Sequence, residues 1–276
     1  MNAHDVPVGL VIVAGLPACP VARVADTFLA GRADTVAVHH DLRQLAEGVV
    51  TRRVRRDGRE RVTAVELAHG CLSCTLREDL LPLLAGLARR PEVRRIVLHL
   101  DPVLEPEPIC WAIQHVLLTG QITVADLVAI EAVITVVDTA TWLADATGDD
   151  ELADRGLAVT ADDDRTLAQV AVGQVAFADA LVLAGAAVPT WTAAGTAAVL
   201  DRLAPGAPRT HTEDRDLPAL LATIPADARR GRPDDPHGPI LRGQPPLEAE
   251  GGVTLTVFTA RRPFHPHRLH TAIDVL

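Results

Sequence analysis

The 276 residues contain no lysine, no tyrosine and a single methionine. All 26 basic residues are therefore arginine. High-GC coding explains that bias, but it also means that no site in the chain can set an ammonium on a phosphate. Cysteine is scarce as well. Cys19, Cys71, Cys74 and Cys110 are too few to staple a chain of this length, which excludes a disulfide scaffold. They fit a reducing, cytoplasmic setting in which paired thiols point to metal or redox work. No apolar run approaches the roughly 20 residues that cross a bilayer, so no membrane span is expected. The start, MNAHDVPVGLVIVAG, carries an acidic flank and runs directly into a strand-like segment, unlike a signal peptide. Positive charge is in deficit: 36 acidic residues against 26 basic leave −10. That field repels phosphate on average and excludes a general DNA binder, while a local basic face stays open.

What is present suits a globular α/β protein. Hydrophobic residues make up 48% of the chain, enough to bury one substantial core and a small second domain. LVIVAG (Leu10 to Gly15) is a continuous apolar run ending in glycine, as buried parallel strands are, and amphipathic VARVADTFLA follows as a helix. Val49–Arg56 and Arg59–Leu67 alternate in polarity around Asp57-Gly58, a strong hairpin signal. Leu76–Arg90 is expected as a helix with Thr75 at its N-cap, then Arg94–Leu100 as a strand and Ile109–Leu118 as a helix. Strands are also expected at Ala132–Asp138 and Asp179–Gly185, flanking the helical DDRTLAQVAVGQVAFA. Repeated strand, crossover helix and strand predict a doubly wound, mostly parallel sheet of P-loop NTPase type. This domain is expected over 1–225, a Pro/Gly-rich linker over 226–250, and the beginning of a small α+β domain over 251–276, where VTLTVFTA starts a strand and a helix follows.

HGCLSCTLREDL (His69 to Leu80) resembles the GCxCC-TLR-x-DL signature of the CobW-type P-loop GTPases, which are zinc-linked metallochaperones. LEPEP (Leu104 to Pro108), ITVVDTATWL (Ile134 to Leu143), GQVAFADALVL (Gly173 to Leu183) and RRPFHPHRL (Arg261 to Leu269) resemble further family landmarks in the same order. The resemblance implies GTP with magnesium as cofactor, zinc, and a role for Asp138 at a strand end. This sequence departs from the pattern where nucleotide chemistry needs it most. A phosphate loop needs glycines for close backbone approach, a lysine on the β and γ phosphates and a Ser/Thr hydroxyl on magnesium. GLPACPVAR retains Gly15, but Pro20, Val21 and Ala22 stand where Gly, Lys and Ser/Thr belong. Ala184, Gly185, Ala186 and Ala187 replace the guanine-specifying Asn-Lys-x-Asp, and His99, Leu100, Asp101 and Pro102 replace Glu-Thr-Ser-Gly. A degenerate, inactive GTPase fold is the expectation, with no catalytic residue named and Asp138 reduced to a helix-capping acid.

Two features retain chemistry. Cys71 and Cys74 lie three apart at a helix start, with His69 nearby, and suit a thiolate-bound metal such as zinc. Ser73 takes the place of the middle cysteine, so Glu66, Cys110 or water would complete the set; a structural turn with two partly buried thiols is the alternative. Arg52, Arg53, Arg55, Arg56, Arg59 and Arg61 crowd one hairpin and suit phosphate or carboxylate partners, or are simply the solvated charges of an edge. His265, His267 and His270 suit a metal face or a solvated helix start. Within the family, AHGCLSCTLREDLLPLL and RRIVLHLDPVLEPEPICWAI most resemble an actinobacterial branch that recruits a hibernation factor to ribosomes under zinc starvation. That likeness implies an adaptor whose partners are a ribosome or hibernation factor. A GTP-dependent zinc chaperone or insertase is the competing expectation. Oligomeric state is not legible.

Overall fold

A computed structural model gives the structure over residues 6–17, 20–30, 32–185, 190–213, 219–232, 243–257, 262–263 and 265–268. It holds an eight-stranded sheet in the order β4-β3-β2-β5-β1-β6-β7-β8. The strands are β1 (Val8–Gly15), β2 (Thr35–Asp41), β3 (Val49–Arg56), β4 (Arg59–Glu66), β5 (Arg95–His99), β6 (Val128–Asp138), β7 (Ala180–Ala184) and β8 (Arg209–His211). Only the β2–β3 and β3–β4 pairings are antiparallel; the others are parallel, as the alternating strand and helix pattern requires.

Every residue of β1 is buried, because helices cover both of its faces. Leu10 and Ile12 face a core completed by α3 (Leu81–Ala88), α4 (Pro106–His115) and α6 (Leu167–Ala176). Val11 and Val13 face α1 (Val21–Leu29) and the short α8 (Leu220–Thr223). Two-sided burial explains why the strand has no polar alternation. On α1, Val21, Val24, Ala25 and Phe28 fall at helical spacing and are the buried stripe. The remaining helices are α2 (Leu72–Cys74), α5 (Trp142–Thr147) and α7 (Thr190–Leu203).

Several elements depart from expectation. The helix expected from Leu76 begins at Leu72: α2 leads into a π-helical stretch, Thr75–Leu80, and then α3. The N-cap is Cys71, whose sulfur accepts the Cys74 N–H; Thr75 is buried inside the run. Helix α4 starts three residues early because Pro106 and Pro108 need no donated N–H in a first turn. Strand β2, TVAVHHD, is an additional strand that the sequence pattern above does not include, although Gly31 and Asp34 precede it. Asp57 and Gly58 turn the hairpin with φ of 50° and 70°, the left-handed pair that a two-residue turn needs.

In the stretch expected as a linker, residues 226–232 are held on the domain. Buried Asp179 accepts the backbone N–H groups of Val133 and Arg230 at 2.8 and 2.9 Å, and Gln114 donates to the Gly231 carbonyl at 2.5 Å. Val253, where a strand is expected, forms only an isolated bridge with Glu250. Half of the expected C-terminal segment lies outside the described residues, His270 included; His265 and His267 are exposed.

Phe28 is 1% exposed and pins α1 to the sheet. Phe28→Ala should cost about 3–5 kcal/mol, read as a lower urea midpoint with little change in the denaturant slope.

Candidate functional site

From β1 the chain crosses through α1 toward one side of the sheet, and from β5 through α4 toward the other. The crevice beyond the carboxyl ends of β1 and β5 is thus the topological switch point, where doubly wound folds take ligands. A cavity of about 530 Å³ lies there, between Leu16 and Pro17 after β1, Val21 and Ala22 of α1, and the ends of β2 and β5. Parallel register places His39 beside His99. Their rings stack with centroids 4.2 Å apart, and His39 Nδ1 donates to the His99 carbonyl at 3.0 Å. Burial holds His99 down at about 3, helped by the neighbouring His39 ring and the Arg55 guanidinium; burial lowers His39 as well. Both imidazoles are neutral at pH 7 and offer a phosphate no cation.

The acids beside them differ. Burial raises Asp101, although it accepts the Leu42 and Val103 N–H groups at 2.9 and 3.3 Å. Hydrogen bonding to the Arg43 guanidinium at 2.5 Å holds Asp41 below the usual carboxylate range. The crevice wall is therefore apolar and acidic, and its one arginine is already paired with Asp41.

The phosphate-loop positions agree with that chemistry. Gly15 pairs with Val136 at the end of β1. Pro20 stands at the N-cap of α1 and makes no side-chain capping bond. Val21 is 4% exposed, packed into the core below α1, and Ala22 has no hydroxyl for a metal. These residues do not fit magnesium–nucleotide. Asp138 accepts the Ala140 N–H at 2.9 Å and so shapes the turn after β6. Gly185, after β7, has φ of 101°, and a Cβ there would meet Asp138 Oδ1 at 2.6 Å. Ala18, Cys19, Ala186 and Ala187 lie outside the described residues.

A second cluster forms where β4 turns into the helical run. Cys71 and Cys74 are partly exposed free thiols with sulfurs 2.6 Å apart. Cys71 Sγ accepts the Cys74 N–H at 3.2 Å and lies 3.4 Å from Ser73 Oγ. Hydrogen bonding to Cys74 lowers the Cys71 thiol, and its neighbour's sulfur pushes Cys74 up to about 11. One turn on, buried Asp79 accepts His40 Nε2 at 2.6 Å and Arg52 Nη1 at 2.5 Å. Register explains the triad, since His40 and Arg52 are cross-strand partners and both point at the helix that carries the thiols.

A CobW/HypB/UreG nucleotide-binding domain model matches residues 24–198, more than half of the chain. The chain belongs to that family. The matched span begins just beyond Gly15–Arg23. A Mycobacterium tuberculosis protein named as a zinc chaperone is 47% identical over 255 residues, 89% of this chain and 59% of that one. A Dictyostelium discoideum protein named zinc-regulated GTPase metalloprotein activator 1 is 26% identical over 214 residues, 76% of this chain and 45% of that one. The chain thus spans about half the length of the curated relatives it matches. Among solved structures, the Zn(II)-bound YjiA GTPase of E. coli is similar with a TM-score of 0.43 at 14% identity, over 74% of this chain and 57% of that one.

On this CobW-family domain the other expected site residues scatter. His69 is exposed; its carbonyl accepts the Cys71 N–H at 2.9 Å. Cys110 is not a fourth ligand for Cys71 and Cys74, since it is fully buried on α4 against Gly231. Among the described residues no group of three or more His, Cys, Asp or Glu side chains is placed to hold a metal ion. The thiol pair therefore offers at most two of the four ligands of a tetrahedral zinc site.

Strand alternation divides the hairpin arginines between two faces. On one, Arg52 pairs with Asp79 and Arg56 with Glu92; on the other, Arg55 pairs with Asp26 and Arg53 lies 3.8 Å from Glu60. Arg59 and Arg61, on the edge strand β4, are exposed and make no ion pair among the described residues. Sequence reasoning missed the His39–His99 stack and the His40–Asp79–Arg52 triad. The His-His step at the end of TVAVHHD was their only local signal.

Removing Asp79 strands a guanidinium that is 22% exposed beside a histidine that is 5% exposed. Asp79→Ala should cost about 3 kcal/mol in urea denaturation, more than Asp26→Ala at the half-exposed Arg55 pair. His99 sets a pH dependence. Folded, it stays neutral down to about 3; unfolded, it takes a proton near its ordinary value of 6.5. Between those values the unfolded chain binds more protons, so stability falls as pH falls from 6.5. Asp101, raised in the fold, acts in the opposite sense, so the comparison of variant with wild type isolates the histidine. His99→Gln should flatten the acid-side slope by up to ~1 kcal/mol per pH unit, measured by urea melts at pH 7 and pH 5.

Proposed function

We propose that this chain is a zinc-linked adaptor on a CobW-family scaffold, working without GTP hydrolysis and recruiting a partner, a hibernation factor, to the ribosome. The observation that carries the nucleotide-free part is Val21, packed in the core at 4% exposure where a phosphate-binding lysine belongs. No lysine exists elsewhere to replace it, and the neighbouring crevice presents neutral histidines and carboxylates. Lost charge-assisted contacts to phosphate outweigh ordinary neutral hydrogen bonds.

Zinc enters the proposal through Cys71 and Cys74 and through the printed names of the relatives. Two thiolates would hold the ion and leave two positions for water or for a partner's side chains, as a transfer or docking site requires. The recruiting role rests on the likeness of the thiol-bearing segment and of RRIVLHLDPVLEPEPICWAI to the hibernation-factor-recruiting branch. The edge strand β4 supports it, since Arg59 and Arg61 stand in solvent where phosphate or acidic groups reach them. A second reading, a GTP-dependent zinc chaperone, is favoured by the names of the relatives and by the open crevice at the switch point.

Isothermal titration with magnesium and GTP, beside zinc titration of the wild type and the Cys71→Ala/Cys74→Ala variant, separates the two. The adaptor gives no heat with GTP, and zinc binding disappears in the double variant. It also co-sediments with ribosomes in a salt-sensitive way that Arg59→Glu/Arg61→Glu abolishes. Micromolar GTP binding establishes the chaperone enzyme instead.

A further inference from the structure

We propose that Cys71 and Cys74 form a dithiol–disulfide couple, closing by exchange with a low-molecular-weight disulfide into a form that cannot take zinc. This deepens the zinc reading by naming what regulates the same thiols, but the closing step does not depend on zinc.

The sulfur positions favour bonding to each other. Two thiolates on a tetrahedral zinc, each at about 2.3 Å, stand roughly 3.7 Å apart, whereas a disulfide needs about 2.05 Å. At 2.6 Å the pair must open by more than an ångström to hold the ion and close by about half of one to bond. The ligand count points the same way. Ser73 stands where the middle thiol of the resembled signature would be, and no third metal-binding side chain is placed nearby among the described residues.

The surrounding backbone holds this geometry. Leu67 N–H donates to the Gly48 carbonyl at 2.8 Å, and Gly70 lies so close to the 45–46 backbone that a Cβ would stand 2.2 Å from the Leu45 carbonyl oxygen. On the other side, the Thr75 N–H and hydroxyl both donate to the Cys71 carbonyl, at 3.2 and 3.3 Å. Both thiols keep solvent contact, so a small disulfide can reach them.

Cys71, whose sulfur already accepts the Cys74 N–H, is the attacking thiol. Its thiolate bonds to one sulfur of the small disulfide and expels the other as a thiolate. Cys74 then gives its proton to water, and its sulfur attacks Cys71 Sγ and displaces the second small thiolate. The two protons lost by the cysteines end on the two released thiols. The protein is oxidised by two electrons and the small disulfide is reduced by two. No thiolate remains for zinc.

The test uses the full chain, treated with a chelator, equilibrated across ratios of reduced to oxidised glutathione, quenched by alkylation and read by intact mass and peptide mapping. The expected result is joint loss of alkylation at Cys71 and Cys74 with loss of two hydrogens, reversed by reductant. Cys74→Ser should stop at one glutathione adduct on Cys71. Excess zinc should slow closing of the wild type about tenfold or more, by occupying the reduced form. Full alkylation of both thiols at the most oxidising ratio overturns the proposal, as do separate adducts on the wild type without a cross-link. Zinc titration of the reduced protein is read independently. Closing without zinc binding leaves the couple standing and sinks the zinc reading, whereas zinc binding without closing does the reverse.

Discussion

Burial of β1 on both faces is the constraint on which the rest of the molecule depends. A strand sealed above and below must be apolar along its length, and β1 pairs in parallel on both sides, which needs helical crossovers to bring its neighbours alongside. Once β5 and β6 flank it, the crossovers through α1 and α4 diverge and leave a crevice at its carboxyl end. The cavity is thus a consequence of topology. What fills its walls is free to change, and here histidine, aspartate and valine occupy the ground that nucleotide chemistry would need.

The same register carries effects outward across the sheet. His99, His39 and Arg53 lie side by side on successive strands, so the crevice merges into one face of the hairpin. On the opposite face His40 and Arg52 meet Asp79 from the helical run that begins at the thiols. The hairpin is therefore tied to the thiol-bearing helical run by the hydrogen-bonded His40–Asp79–Arg52 triad and to α1 by Asp26. Such links cost desolvation and repay it only when every partner is present, so the hairpin holds a defined position beside Cys71 and Cys74.

The thiol site shows how one substitution redirects a motif. With Ser73 between them, Cys71 and Cys74 have lost a companion ligand and gained a hydroxyl near one sulfur. Two sulfurs without a third ligand carry both proposals made above, a lodging for a shared ion and a couple that closes on itself. The two roles exclude one another chemically, since a sulfur in a disulfide has no thiolate to donate. On the proposed reading, zinc availability and redox poise act on the same pair of atoms.

Composition and local pattern sufficed for the parallel sheet, the hairpin with its Asp57-Gly58 turn, the helix after β1 and the lack of any lysine for the phosphate-loop position, because each depends on short-range periodicity or on a residue type being present at all. The thiol pair was legible for the same reason, three residues being one helical turn. The start of its helix was not, because Cys71 caps through sulfur where Thr75 carried the usual capping signature. Tertiary structure alone decided that the hairpin arginines split between two faces and that Arg52, Arg55 and Arg56 pair with acids 27, 29 and 36 residues away in sequence. It also decided that His39 stacks on His99 and that Cys110 is buried on α4 against Gly231. Those outcomes depend on strand register and on which helix covers which face, and register is set by the packing of the whole sheet, which no local stretch of sequence records.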